Sequence, residues 1–180
     1  ILASCGRNVL VLNPDTVVLN DALSLMVNYL DDHLDVGALG PQLLNVDGTV
    51  QSSRRRFPSV ATGLLESTWL ESLAPKRVLN RYYALDLPDD QENDVDWVTG
   101  ASLMVPRRVI DHVGLFDEGY FMYSEELDWC RRIKDAGWRI VYLPQAQIVH
   151  HVGKSSEQAV TARHVNFQQA KLRYFRKHHG

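Results

Sequence analysis

Apolar positions along the chain follow two periods, one of strands and one of helices. Asn8-Val9-Leu10-Val11-Leu12 is a continuous β-branched and leucine run that stops at Asn13-Pro14-Asp15-Thr16, the pattern of a buried strand ending in a turn. In 21–33, Leu23, Met26, Val27 and Leu30 recur at i, i+3, i+4 and i+7, so this stretch predicts an amphipathic helix with those residues in the core. The runs 36–40 and 41–46 read as extended, and Asp47-Gly48 before Thr49-Val50-Gln51-Ser52-Ser53 signals a hairpin. Leu64, Leu65, Trp69, Leu70 and Leu73 give 59–83 a helical pattern broken at Pro75, and 86–96, with Pro88 and six acidic residues, reads as a polar linker.

The second half is more regular. Residues 95–105 predict one strand, 107–113 a short helix and 114–119 a turn. From Ser124, a fair N-cap, a step of 100° per residue puts Trp129, Cys130, Ile133 and Ala136 on one arc, and Gly137 ends that helix. Residues 138–143 predict a strand that Pro144 terminates, with 147–151 as another. Ser155 and Gln158 resemble a capping box for a last helix, in which Val160, Phe167 and Tyr174 share a stripe.

With 180 residues, 45% hydrophobic and 23% charged, the chain reads as one globular domain able to bury a core. A net charge of −3 provides no general attraction to nucleic acid, and no apolar run approaches the ~20 residues that a bilayer crossing needs. Membrane contact would therefore be peripheral. Lys171, Arg173, Arg176, Lys177, His178 and His179 suit the C-terminal end of a helix dipole, or an anionic lipid surface. Cys5 and Cys130 do not form a disulfide framework, which suggests a reducing compartment. The opening Ile1-Leu2-Ala3-Ser4 has neither Met nor a signal-like segment, and reads as the start of a fragment.

Chemistry concentrates in a few places. Glu125, Glu126 and Asp128 crowd the first turn of the helix after Ser124. Such acids can simply complement the macrodipole. Glu126, however, points along the apolar arc, with Glu125 at its edge and Asp128 on the opposite side, so Glu126 is the carboxylate aimed toward a pocket and suited to accept a proton. Asp15, just past a strand's carboxyl end, occupies the place where α/β sheets bind ligands, although Asn-Pro-Asp is also ordinary turn chemistry. His150-His151 with carboxylate oxygens would make a workable shell for Mn²⁺ or a similar ion. Arg54-Arg55-Arg56 invites phosphate, with Arg56 the candidate ligand, or is a solvated face. Trp97 could stack on a sugar or fill core, and Gly100-Ala101 removes bulk where a ligand or backbone comes close.

Taken in order, Leu12-Asn13-Pro14-Asp15-Thr16, Trp97-Val98-Thr99-Gly100-Ala101, Gly114-Leu115-Phe116-Asp117-Glu118, Glu125-Glu126-Leu127-Asp128-Trp129-Cys130 and His150-His151 resemble the inverting GT-A-fold glycosyltransferases of family 2, especially rhamnosyltransferase-like members that build bacterial polysaccharides. The resemblance implies an α/β fold, a mixed sheet flanked by helices, corresponding to the C-terminal part of a Rossmann-like GT-A domain. It divides the chain into a metal-turn strand, helix and hairpin (1–53), a helical and linker insertion (54–94), a catalytic and acceptor part (95–154) and a last helix (155–180). It implies a divalent cation, Mg²⁺ or Mn²⁺, at Asp15, with Asn13 standing where many relatives carry a first aspartate and His150 or His151, preferably His151, completing the site. Glu126 maps to the catalytic base, where Asp is common, with Glu125 beside it. Trp97, Gly100, Ala101, Asp128, Trp129 and Arg56 are the implied substrate contacts. A nucleotide-diphosphate sugar, with rhamnose one candidate, would be the donor and a glycan or lipid-linked hydroxyl the acceptor, in the cytoplasm, where peripheral contact with the inner face of the plasma membrane is the alternative to a free enzyme. Only a few residues precede the first strand, so most of the nucleotide pocket is expected upstream, the exposed edge is expected to promote self-association, and the fragment alone is expected to be inactive. A carbohydrate- or partner-binding fragment and a metal-dependent phosphohydrolase are the rival readings.

Overall fold

The computed structural model describes residues 1–65, 75–151 and 160–180. The strands are β1 (Asn8–Leu12), β2 (Thr16–Val18), β3 (Val36–Leu44), β4 (Val50–Gln51), β5 (Arg54–Arg55), β6 (Asn93–Asp94), β7 (Trp97–Val98), β8 (Ser102–Pro106) and β9 (Arg139–His150). The helices are α1 (Ala22–Asp32), α2 (Val60–Leu65), α3 (Lys76–Tyr82), α4 (Arg107–Val113), α5 (Glu125–Asp135) and α6 (Val160–His179). The main sheet runs β1-β8-β3-β9-β2, with β4 added to β3 and β6 to β9, while β5 and β7 form a separate pair. Pairing is antiparallel except for β3 with β9, so the sheet is mixed, as expected.

Both faces of the sheet are covered, which explains why β3 reads as continuously apolar rather than alternating. Successive residues feed opposite cores: Ala38, Leu103 and Tyr142 join Trp129, Cys130, Ile133 and Tyr174 under α5 and α6. Leu39, Met104 and Val141 join Met26, Leu30 and Ile148 under α1. Buried α1 residues are Ala22, Met26 and Leu30, whereas Leu23, expected in the core, is exposed.

Several expectations shift in detail. β1 is an edge strand, half-buried rather than central, because among the described residues only β8 pairs with it. The Asp47-Gly48 hairpin forms as expected, with Leu43 opposite Gln51 and Gly48 at φ +83°. Residues 95–105 split at Thr99-Gly100-Ala101 into β7 and β8 of different sheets. Pro144 does not end a strand: β9 continues through it because the register against β3 jumps from Pro41–Leu143 to Gln42–Gln147, a bulge that accommodates a proline on each strand. The acidic 86–96 stretch is tied down by ion pairs from Arg54 to Asp89 and Arg56 to Asp86, and by β6 on β9. Trp69, Leu70, Leu73, Ser155 and Gln158, singled out above, lie outside the described residues, as do the side chains of Leu64 and Val160.

Candidate active site

Strand direction assembles the site. β1, β3 and β9 point the same way and β8 runs against them, so the end of β1, the start of β8 and the end of β9 meet at one edge of the sheet. This is where ligands bind in open α/β sheets. The Asn13 N–H donates to the Ala101 carbonyl at 3.0 Å, tying the turn after β1 to the loop before β8. One residue earlier in that loop, the Gly100 N–H donates to Glu126 Oε1 at 3.3 Å. The turn, the glycine loop and the first turn of α5 are thereby linked.

Glu126 faces the sheet side of α5, as the helical period predicts. Its Oε2 is buried without a hydrogen-bond partner, as is Oε2 of neighbouring Glu125. Burial, and then the charge of Glu125, push the Glu126 carboxyl up to about 7, against the pull of backbone N–H groups at the helix start and Gly100. A carboxylate that binds its proton near neutrality is matched to proton transfer. The helix start is strained: Tyr123 and Ser124 both hold positive φ, 72° and 63°, uncommon for residues with a side chain. Ser124 therefore occupies the N-cap position without forming the side-chain cap expected of it.

Across the turn, Asp15, Asn13 and His150 converge. His150 Nε2 lies 3.4 Å from Asp15 Oδ1 and 3.5 Å from Asn13 Nδ2. Gln51 donates through Nε2 to Asn45 at 2.9 Å, so its Oε1 is the acceptor that His150 Nδ1 meets at 2.7 Å. That bond makes Nδ1 the donor and leaves Nε2 as the ring nitrogen that faces Asp15 and the Asn13 amide. Among the described residues no cluster of three or more His, Cys, Asp or Glu side chains is arranged for a metal. Asp15 Oδ1 is nonetheless buried with no hydrogen-bond partner, and a carboxylate with an imidazole nitrogen is a donor pair that a divalent cation accepts, whereas the Asn13 amide turns its Nδ2 to His150. The preference for His151 is reversed: its backbone N–H bonds the Asp15 carbonyl at 2.8 Å, while the imidazole against Asp15 belongs to His150.

Other expected contacts are structural. Asp128 is fully buried, not facing substrate, and receives Arg132 at 2.9 Å with Lys177 and His178 at 2.8 Å each. Burial alone would raise its carboxyl, but these donors outweigh it and hold the group below its ordinary value. Trp129 is buried, donates Nε1–H to the Gly114 carbonyl and packs edge-on against Phe116. Trp97 fills the core, its Nε1–H on the Arg56 carbonyl. Arg56 is held bidentate by Asp86 at 2.6 and 2.7 Å, so it is not a free phosphate ligand. Ala101 contributes its carbonyl and core packing. Both cysteines are free, Cys5 exposed and Cys130 buried. Sequence reasoning missed Gln51, which the hairpin brings to His150, and Asp117, which Lys177 and Arg173 hold well below the carboxylate range.

The mixed α/β sheet flanked by helices is of the GT-A glycosyltransferase type. Its fold matches the solved structure of GalNAc-T7 with UDP, GalNAc and Mn²⁺ at a TM-score of 0.56, with 13% identity over 83% of this chain and 28% of that one. Residues 3–166 match the family described as glycosyltransferase like family 2, and the chain belongs to that family. It is 34% identical over 148 residues to the N-acetylglucosaminyl-diphospho-decaprenol L-rhamnosyltransferase of Mycobacterium tuberculosis, covering 82% of this chain and 48% of that protein. It is 28% identical over 144 residues to the rhamnosyltransferase WbbL of Escherichia coli K12, covering 79% and 52%. The chain thus spans about half the length of the curated relatives it matches.

Proposed function

We propose that the protein carrying this chain transfers a sugar, with rhamnose the first candidate, from a nucleotide-diphosphate donor to a hydroxyl of a glycan or lipid-linked acceptor, with inversion. The observation that carries this reading is Glu126, a buried carboxylate with an unpartnered oxygen and a proton affinity near neutrality, at the sheet edge that also bears Asp15. The names of the relatives support the sugar and the lipid-linked acceptor.

Glu126 takes the acceptor's proton as the hydroxyl oxygen forms its bond to the anomeric carbon. On the opposite face the bond from that carbon to the diphosphate breaks, its electrons leaving with the phosphate oxygen. The Gly100 N–H fixes one Glu126 oxygen and leaves the other for the proton. Asp15 and His150 would hold a divalent cation, which when bound supplies positive charge to the leaving diphosphate. Gln51 keeps His150 in the required tautomer.

The test is product analysis on the natural protein, given nucleotide-diphosphate rhamnose and a diphospho-lipid glycan acceptor with Mn²⁺ or Mg²⁺. An extended glycan of inverted anomeric configuration is expected. Free phosphate released from simple phosphate esters without transfer would overturn the reading in favour of a phosphohydrolase.

A further inference from the structure

The loop entering α5 is anchored on both sides of two apolar residues. Before them, Asp117 binds Arg173 at 2.9 Å and Lys177 at 2.7 Å, and the Arg173 guanidinium lies 5.2 Å from the Tyr120 ring. After them, Tyr123 packs edge-on against Phe167 of α6 at 5.9 Å. Between these anchors Phe121 is 86% exposed and Met122 46%. An aromatic side chain left in water on a fixed loop forgoes the transfer free energy of burial, and the fold gains nothing from it.

The neighbouring surface of α6 is apolar and cationic. Leu172 is 51% exposed and lines a depression of about 500 Å³ with Asp117, Arg173, Arg176 and Lys177; Arg173 and Lys177 share Asp117, Lys177 also reaches Asp128, and Arg176 has no carboxylate partner among the described residues. A second copy of the chain docked about a two-fold axis would bring these cations face to face. The chain's net charge of −3 offers no general attraction to polyanions, so the complement is local: anionic charge at an apolar boundary. Among the described residues no helix is long and apolar enough to cross a membrane.

We propose that Phe121, Met122 and Leu172, beside the positive charge that Arg173, Arg176 and Lys177 carry in excess of Asp117, seat this face on an anionic lipid bilayer, the apolar residues entering the headgroup region and Arg176 meeting lipid phosphate. The proposal does not depend on the catalytic reading. Where both hold, the docked face lies on the loop that leads into the helix bearing Glu126, five residues beyond Phe121.

The test is co-sedimentation of the chain with phosphatidylcholine vesicles, with and without phosphatidylglycerol. Binding to the anionic vesicles alone is expected, falling as salt rises. Arg176→Gln should weaken it by about fivefold. Phe121→Ser should weaken it several-fold while leaving the thermal midpoint in place, since that side chain is already 86% exposed, and adding Met122→Ser should bring the loss to roughly tenfold or more. Phe121→Trp should shift its fluorescence to the blue on anionic vesicles. Equal binding to neutral vesicles, no binding to either, or an unshifted tryptophan would overturn the proposal. So would a double serine variant that dissolves an oligomer in sedimentation velocity without changing lipid binding, since the patch would then be a protein interface.

Discussion

Replacing Glu126 with glutamine should make the protein more stable and the transferase slower. Burial and Glu125 raise the Glu126 carboxyl from its ordinary 4.5 to about 7. Between these values the folded protein holds a proton that the unfolded chain has released, so stability falls as pH rises across this window. At about 1.4 kcal/mol per pH unit, the ionised carboxylate costs the fold about 3 kcal/mol above pH 7. The amide has nearly the same shape and no charge, so the variant escapes that loss. Urea unfolding of both proteins from pH 4 to 8.5 should show the stability gap, variant minus parent, widening by about 3 kcal/mol, or roughly 6–12 °C in Tm for a chain of this size. Carboxylates remote from Glu126 titrate alike in both proteins and cancel in the difference. Turnover of the natural protein should fall by about 10²-fold or more with donor affinity retained. A gap that stays constant with pH would refute the buried-base assignment, and near-normal turnover would refute the catalytic one.

Glu125→Gln removes the second contribution to that raised proton affinity, so the acid limb of the rate profile should move to lower pH with a smaller loss of turnover than at Glu126. Gly40→Ala would place a Cβ 2.8 Å from three Val98 atoms in the packed core, and should lower the urea-derived stability by about 1–3 kcal/mol. Asp128→Asn leaves Lys177 and Arg132 facing a neutral group, and should cost about 3 kcal/mol. Because the Asp128 carboxyl is held below its ordinary 3.8, its contribution is present above about pH 4 and lost as pH falls through its folded value, so the variant should show a shallower acid-unfolding slope.

Helical period alone located Glu126 correctly, because the arc shared by Trp129, Cys130 and Ile133 is buried and a residue three or four positions earlier must face the same way. The same period misassigned Asp128. It identifies a helix face but not what lies across from it, and here that is Lys177 and His178, about fifty residues further along. The adjacent histidines show the limit for strands. Neighbouring strand residues point to opposite faces, and only the register, with Thr16 opposite His150, decides which imidazole reaches Asp15. The arginine run and the acidic run were each legible as charge, but not as partners of each other, since Arg54–Asp89 and Arg56–Asp86 depend on the chain folding back through α3.

Several unfavourable terms meet where the start of α5 faces the sheet edge. Tyr123 and Ser124 sit in left-handed backbone, Glu126 resists ionisation, and Glu125, Glu126 and Asp15 each keep a buried oxygen without a hydrogen bond. Strain of this kind persists only where surrounding structure over-determines it. Here the opposing terms lie on the other side of α5, where Asp117 and Asp128 are bonded by Arg132, Arg173, Lys177 and His178, and Tyr174 is fully buried. The C-terminal part of α6 thus holds the start of α5 against the sheet although its own acids disfavour burial. A fold built only for stability would place glutamine or leucine at Glu126. Retaining a carboxylate there, clamped from behind and with one oxygen left unpartnered, fits a group held for proton transfer.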